Sequence, residues 1–196
     1  MKNLYGKSVF KGKIKIVAVL ALFAVILYGF AACDDNDDID KTMKVKLAFV
    51  NAEALSEDLQ NPDFHSAASY VIVDSMIECD AFEGDEKYEE ALELLKEDEY
   101  QGHIGNAGDA ITMYRATFDI DDVYFKNGTA TVDFEPESLS GSSSEEELLI
   151  GQIVLTLTQS FPEIKSVNFT VNRQPIDSLM GHLDTSEPFT AADFGY

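Results

Sequence analysis

Val123-Tyr-Phe-Lys-Asn-Gly-Thr-Ala-Thr-Val-Asp-Phe134 decides the fold. Two runs of strand-forming residues flank Asn127-Gly128, the dipeptide best suited to a two-residue hairpin turn. Closing the hairpin there sets Phe125 opposite Ala130 and Val123 opposite Val132. The apolar residues of both arms then share one face, and Tyr124, Thr131 and Asp133 share the other. A sheet is therefore expected in the second half of the chain, and the rest can be read outward from it.

Beyond the hairpin, Gly141-Ser-Ser-Ser-Glu-Glu-Glu147 is a polar loop leading into a helix, with Ser144 as N-cap and Glu147 completing a capping box. Its acids suit the positive end of the helix. Leu149, Ile150, Ile153, Val154 and Leu157 form a broad apolar face, and Phe161-Pro162 ends the run. This helix should lie deepest on the sheet. Val167, Phe169 and Val171 alternate in a closing strand that stops at Asn172-Arg-Gln-Pro175, and Asp177 to Tyr196 reads as irregular.

Before the hairpin, Ile111 to Phe118 reads as a strand, and Glu86 to Lys96 as an amphipathic helix with Tyr88, Ala91, Leu92 and Leu95 on one stripe. Tyr70-Val-Ile-Val73 is a buried strand. Val45, Leu47 and Phe49 alternate with Lys44 and Lys46 in a half-buried one, and Asn51 to Ser66 between them is a polar loop with one short helical turn. Strands, helix, strands, helix, strand predict an α/β fold, a mixed β-sheet with two helices packed on one face, in a single domain over residues 44–196.

The amino terminus carries a different signal. Lys2, Lys7, Lys11, Lys13 and Lys15 precede the apolar run Ile16 to Phe30, and Ala31-Ala32 lead into Cys33 and an acidic burst, Asp34-Asp-Asn-Asp-Asp38. Residues 1–32 read as a lipoprotein signal peptide, Cys33 as the lipid-attachment residue and residues 33–43 as an acidic linker. The apolar run of about 15 residues falls short of the roughly 20 needed to span a bilayer, which disfavours an uncleaved anchor. Positive charge held inside the cell places the rest on the extracytoplasmic face of the cell membrane. Two acyl chains such as palmitate on Cys33 make that attachment stable.

The 196-residue chain has 36 acids against 14 bases, a net charge of -22; removing residues 1–32 takes five lysines and no acid, giving -22 - 5 = -27. Such charge excludes nucleic acid as a partner, because phosphates need Lys and Arg, and it opposes adhesion to anionic lipid. Once Cys33 is acylated only Cys79 remains, so no internal disulfide forms; with no neighbouring base to lower its pKa, Cys79 reads as a structural thiol.

Candidate chemistry is sparse. His65, His103 and His182 stand apart and lack metal-ligand spacing. The Gly102 to Gly108 stretch has the glycine count of a phosphate loop but no following Lys, and acids flank it. Starting at Asp34, the calcium-loop pattern meets Ile39 where Gly is required and Val45 where Glu is required. Acidic clusters Glu83 to Glu90 and Glu97-Asp-Glu99 point weakly to calcium, with a solvated face as the plain reading. There is no G-x-S-x-G motif, and the many acids single out no carboxylate pair for a cell-wall hydrolase. No catalytic, cofactor-binding or metal-binding residue is assigned. Exposed strand edges or the Gly102 to Gly108 loop leave open an extracytoplasmic ligand-binding module.

The second half also resembles a known family. The Val123 to Phe134 hairpin, Glu145 to Gln152, Val154-Leu-Thr-Leu-Thr-Gln159, Phe161-Pro-Glu-Ile-Lys-Ser-Val-Asn-Phe-Thr-Val171 and Gly181-His-Leu-Asp184 with Pro188 are similar to the GerMN domain of sporulation and spore germination lipoproteins. The likeness spans roughly Tyr88 to Pro188; Asp74-Ser-Met76 and Leu95-Lys-Glu-Asp98 depart from the basic residue and Gly-Pro usual in the family. The resemblance implies a non-enzymatic envelope protein that assembles with other envelope or sporulation proteins, and it names no catalytic residues.

Overall fold

The first two strands, β1 (Thr42–Asn51) and β2 (Tyr70–Glu78), pair antiparallel from Thr42↔Glu78 to Val50↔Tyr70. The computed structural model describes residues 42–52, 67–78, 84–96, 102–103, 109–114, 118–135 and 139–196. Cys33, His65, Cys79 and the Ile104 to Gly108 part of the glycine-rich stretch lie outside them, as does most of the loop expected over Asn51 to Ser66. The folded chain already runs at Thr42, inside the stretch assigned to the linker.

In β1, Val45, Leu47 and Phe49 are buried while Lys44 and Lys46 are exposed, as the alternation predicts. Ala48 and Val50 are buried too, so the strand loses its polar face toward its end. The strand expected over Ile111 to Phe118 is displaced: β4 covers Asp109–Ile111, and Thr112 to Tyr114 leave the ladder. There the Thr112 hydroxyl accepts the Tyr114 N–H at 3.0 Å, a local side-chain bond that replaces strand pairing. With β3 (Gly102–His103) these strands form a sheet in the order β2-β1-β4-β3.

The predicted hairpin forms β5 (Ile120–Lys126) and β6 (Thr129–Phe134) in the predicted register, Phe125↔Ala130 and Val123↔Val132. Asn127 and Gly128 take φ of 54° and 90°, the left-handed pair that lets a two-residue turn follow the twist of the strands. Strand β7 (Ser166–Val171) lies parallel to β6, and β8 (Gln174–Pro175) returns beside it. The sequence reading placed all strands in one mixed sheet; the described strands instead make two four-stranded sheets, the second ordered β5-β6-β7-β8.

Both expected helices are present. The first, α1 (Glu86–Glu93), continues as a 3-10 turn over Leu94–Lys96 and buries the predicted stripe Tyr88, Ala91, Leu92 and Leu95. The second, α2 (Ser143–Ser160), supplies the crossover that two parallel strands require. Its N-cap is Ser142, boxed with Glu145, two residues ahead of the predicted Ser144 and Glu147. Every residue from Leu148 to Leu157 is buried, because this helix packs on β1 of one sheet, β7 of the other and α1. A helix buried on all sides is apolar all round. The two sheets thus share one core through α2. The tail after Asp177 is largely irregular, as expected, but it closes back through a Val167↔Phe189 bridge and a 3-10 turn that buries Phe194.

Candidate interaction surface

Polar side chains in this domain are spent on closing backbone. Along β1, pairing with β4 begins only at Val50, so Lys46 and Ala48 turn unpaired backbone groups away from β2. Helix α2 meets them with hydroxyls: Ser160 Oγ accepts the Lys46 N–H at 2.8 Å and donates to the Lys46 carbonyl at 3.0 Å, and Thr156 Oγ1 accepts the Ala48 N–H at 3.0 Å. Thr156 is the first threonine of the Thr-Leu-Thr-Gln run. Its role there is to complete a strand.

The acidic helix does the same for the second sheet. Strand β5 is an edge, and Asp85 and Glu89 accept the N–H groups of Phe125 and Val123 at 3.2 and 3.1 Å. Part of the Glu83 to Glu90 cluster is therefore an edge cap, and only Asp85, Glu86 and Glu90 of its described acids are exposed. Burial raises the Glu89 pKa against the pull of the Val123 N–H, and the neighbouring Asp122 carboxylate adds to the rise. Glu163 goes the other way. Burial opposes its ionisation, but the Lys87 ammonium at 2.8 Å, a backbone N–H and the Tyr88 hydroxyl at 3.1 Å outweigh it and lower its pKa. Burial, reinforced by Glu163, drives the Tyr88 phenol upward. Tyr114 and Tyr70 are raised by burial as well, with Glu93 and Glu147 as the respective neighbouring charges.

Two buried carboxylates escaped the sequence reading. Glu146 is fully buried, and its oxygens accept from Ser178 Oγ at 2.8 Å and from the backbone N–H groups of Met180, His182 and Leu183 at 2.7, 2.9 and 3.2 Å. It clasps the loop after β8. Three consecutive Ser/Glu pairs at capping spacing hid it; once Ser142 and Glu145 take the cap, Glu146 falls on the same helical stripe as Ile150 and Ile153. Asp133, read as a residue of the polar face, is fully buried: Oδ1 accepts from Thr170 Oγ1 at 2.5 Å and from the Arg173 N–H at 2.7 Å, which pins the β7–β8 turn. Asn172 and Arg173 take φ of 51° and 60° there.

Of the histidines, His182 is exposed with Nε2 3.1 Å from the Gly141 carbonyl oxygen, and only the backbone of His103 is described, in β3. No group of three His, Cys, Asp or Glu able to hold a metal ion occurs among the described residues. A groove of about 540 Å³ in the tail brings Asp184, Glu187 and Asp193 together with Phe189. Asp184 is held below the usual carboxylate range by Ser186, and Asp193 accepts from the Thr190 N–H and hydroxyl at 2.7 and 2.9 Å. Among the described residues no helix is long and apolar enough to cross a membrane.

The first GerMN domain of the sporulation protein GerM from Bacillus subtilis superposes with a TM-score of 0.50 at 20% identity, over 76% of this chain and 98% of that one. That likeness shows the fold. A crystal structure of a candidate lipoprotein from Clostridium perfringens gives 0.46 at 23% identity, over 81% and 93%. The tandem GerMN domains of the same GerM give 0.48 at 23% identity, over 82% of this chain and 49% of that one, so this chain spans about half of the tandem. No curated protein sequence matches. The family model Germane, described as sporulation and spore germination, matches residues 49–177, about two thirds of the chain, and the chain belongs to that family.

Proposed function

We propose that the chain is a non-enzymatic, lipid-anchored protein of the extracytoplasmic face of the cell membrane, held at Cys33 and acting by assembly with other envelope proteins in sporulation or spore germination. Family membership supports the process, and the leader over residues 1–32, followed by Cys33, supports the anchor. One observation supports contacts over chemistry. Among the described residues, the well-placed polar groups Thr156, Ser160, Asp85, Glu89, Asp133 and Glu146 each hydrogen-bond the protein's own backbone, a use that serves shape.

Cross-linking in intact cells followed by purification tests this reading, with Cys33→Ala as the control that lacks the anchor. The expected outcome is recovery of defined envelope or sporulation proteins with the lipidated form and their loss with Cys33→Ala. Turnover of a wall polymer by the purified protein would contradict it.

A further inference from the structure

Among the described residues, one sheet edge stands out by its length. Strands β3 and β8 are two residues long and β8 contains Pro175, α1 caps β5 at Val123 and Phe125, and α2 meets β1 at Lys46 and Ala48. Strand β2 is an edge nine residues long. Its geometry follows from β1. Since Lys46 and Ala48 donate to α2, the even-numbered residues of β1 turn away from β2 and the odd-numbered ones toward it. Through the register Val45↔Ser75 and Leu47↔Val73, the odd-numbered residues of β2 return those bonds. The N–H and C=O groups of Ile72, Asp74 and Met76 therefore lie along the outer edge.

The side chains over that edge have a definite character. Asp74 and Glu78 are exposed acids, with Lys46 reaching Asp74 from the β1 side at 3.3 Å. Between the acids stands Met76, 52% exposed and the most exposed large apolar residue described. An exposed edge of this length is a template for an added strand. Side chains on the added strand stand directly opposite those of β2. Opposite Asp74 and Glu78 they must be basic, and opposite Met76 apolar.

We propose that β2 is the docking edge of this protein, and that its partner adds an extended strand with Lys or Arg four residues apart and an apolar residue midway. The acidic strand and the strongly negative chain select a basic segment over a second copy of this chain. This inference rests on the assembly reading and names the surface it uses.

The test places a photo-crosslinking amino acid at Met76, or at Tyr124 on the other sheet, in the full lipidated chain in intact cells, and maps the joined peptide by mass spectrometry. Support requires a Met76 cross-link to a segment with the stated spacing; a Met76 cross-link only to segments without it overturns the proposed partner. Asp74→Asn, which keeps the outward N–H, should lower the yield by about two- to fivefold, the worth of a surface ion pair. Asp74→Pro also removes that N–H without touching the β1 ladder and should lower it about tenfold or more. Melting temperatures check that both variants fold; if Asp74→Pro does not, Asp74→Asn decides. A cross-link from Tyr124 alone overturns the edge and leaves the assembly reading standing. None from either position overturns both, and a Met76 cross-link indifferent to Asp74→Asn overturns the strand model.

Discussion

Gly151→Ala tests whether α2 lies against the first sheet as closely as described. A Cβ at Gly151 would sit 1.9 Å from Tyr70 Oη, 2.6 Å from Tyr70 Cζ and 2.7 Å from Phe194 Cδ1. Ordinary carbon contact needs about 3.5 Å or more, so both rings must move by the order of 1 Å. Neither is free to do so. Tyr70 and Phe194 pack edge to face at a centroid distance of 6.2 Å, and both are buried. Overpacking of this kind costs about 1–3 kcal/mol. The contact involves two rings, so the upper end applies, and the gain of about 1 kcal/mol in helix propensity offsets part of it. The net loss is about 2 kcal/mol, which lowers the melting temperature by about 4–8 °C for a unit of this size. Calorimetry on the purified protein reads it. Tyr70→Phe removes the nearest atom and should return part of the loss when combined with Gly151→Ala, a coupling that identifies the contact. A melting temperature that rises with Gly151→Ala, as at an open helix position, would refute the packing.

Other expectations follow from the backbone closures. Glu146→Gln replaces one acceptor oxygen by a donor facing backbone N–H groups and should cost about 3 kcal/mol, read as faster hydrogen exchange at Met180, His182 and Leu183; unchanged exchange would remove the clasp. Thr156→Val keeps the shape but strands the buried Ala48 N–H, and a loss of about 1–3 kcal/mol in denaturant titration is expected, against none if the hydroxyl is incidental. Glu89 has a raised folded pKa, so its contribution is full below its unfolded value near pH 4.5 and is lost as pH rises through the folded value. Glu163 has a lowered folded pKa, so its contribution is present above its unfolded value and is lost as pH falls through the folded one. The Glu89 contribution should therefore grow as the pH falls toward its unfolded value, and the Glu163 contribution should fade as the pH falls below its own; Glu89→Gln should flatten the rise, and a pH profile of stability unchanged by Glu89→Gln would count against the Glu89 assignment.

What the sequence made legible was local. Asn127-Gly128 dictates its own turn and thereby the register of β5 and β6, because side-chain alternation allows no slip of one residue without exposing Val123 and Val132. The stripe of α1 and the stop at Phe161-Pro162 were equally readable. Division into two sheets was not, since it depends on α2 wedging against β1 and β7, and periodicity only marks that helix as apolar. The start of α2 was ambiguous for a different reason: Ser142, Ser143 and Ser144 each stand three residues before a Glu, and the choice is made by where Glu146 finds donors. Strand-capping by Thr156, Asp85 and Glu89 was hidden because the accepted N–H groups are 34 to 108 residues away in sequence. The acids of α1 looked like a solvated face, and composition alone cannot tell a carboxylate facing water from one facing a strand edge.

The central claim, a folded acidic domain tethered outside the cell by lipid, is tested most directly by intact-mass spectrometry of the protein extracted from the membrane fraction. The account predicts a chain that begins at Cys33 and carries acyl groups on it. A chain retaining Met1, or one beginning elsewhere without lipid and recovered from the cytosol, would contradict it.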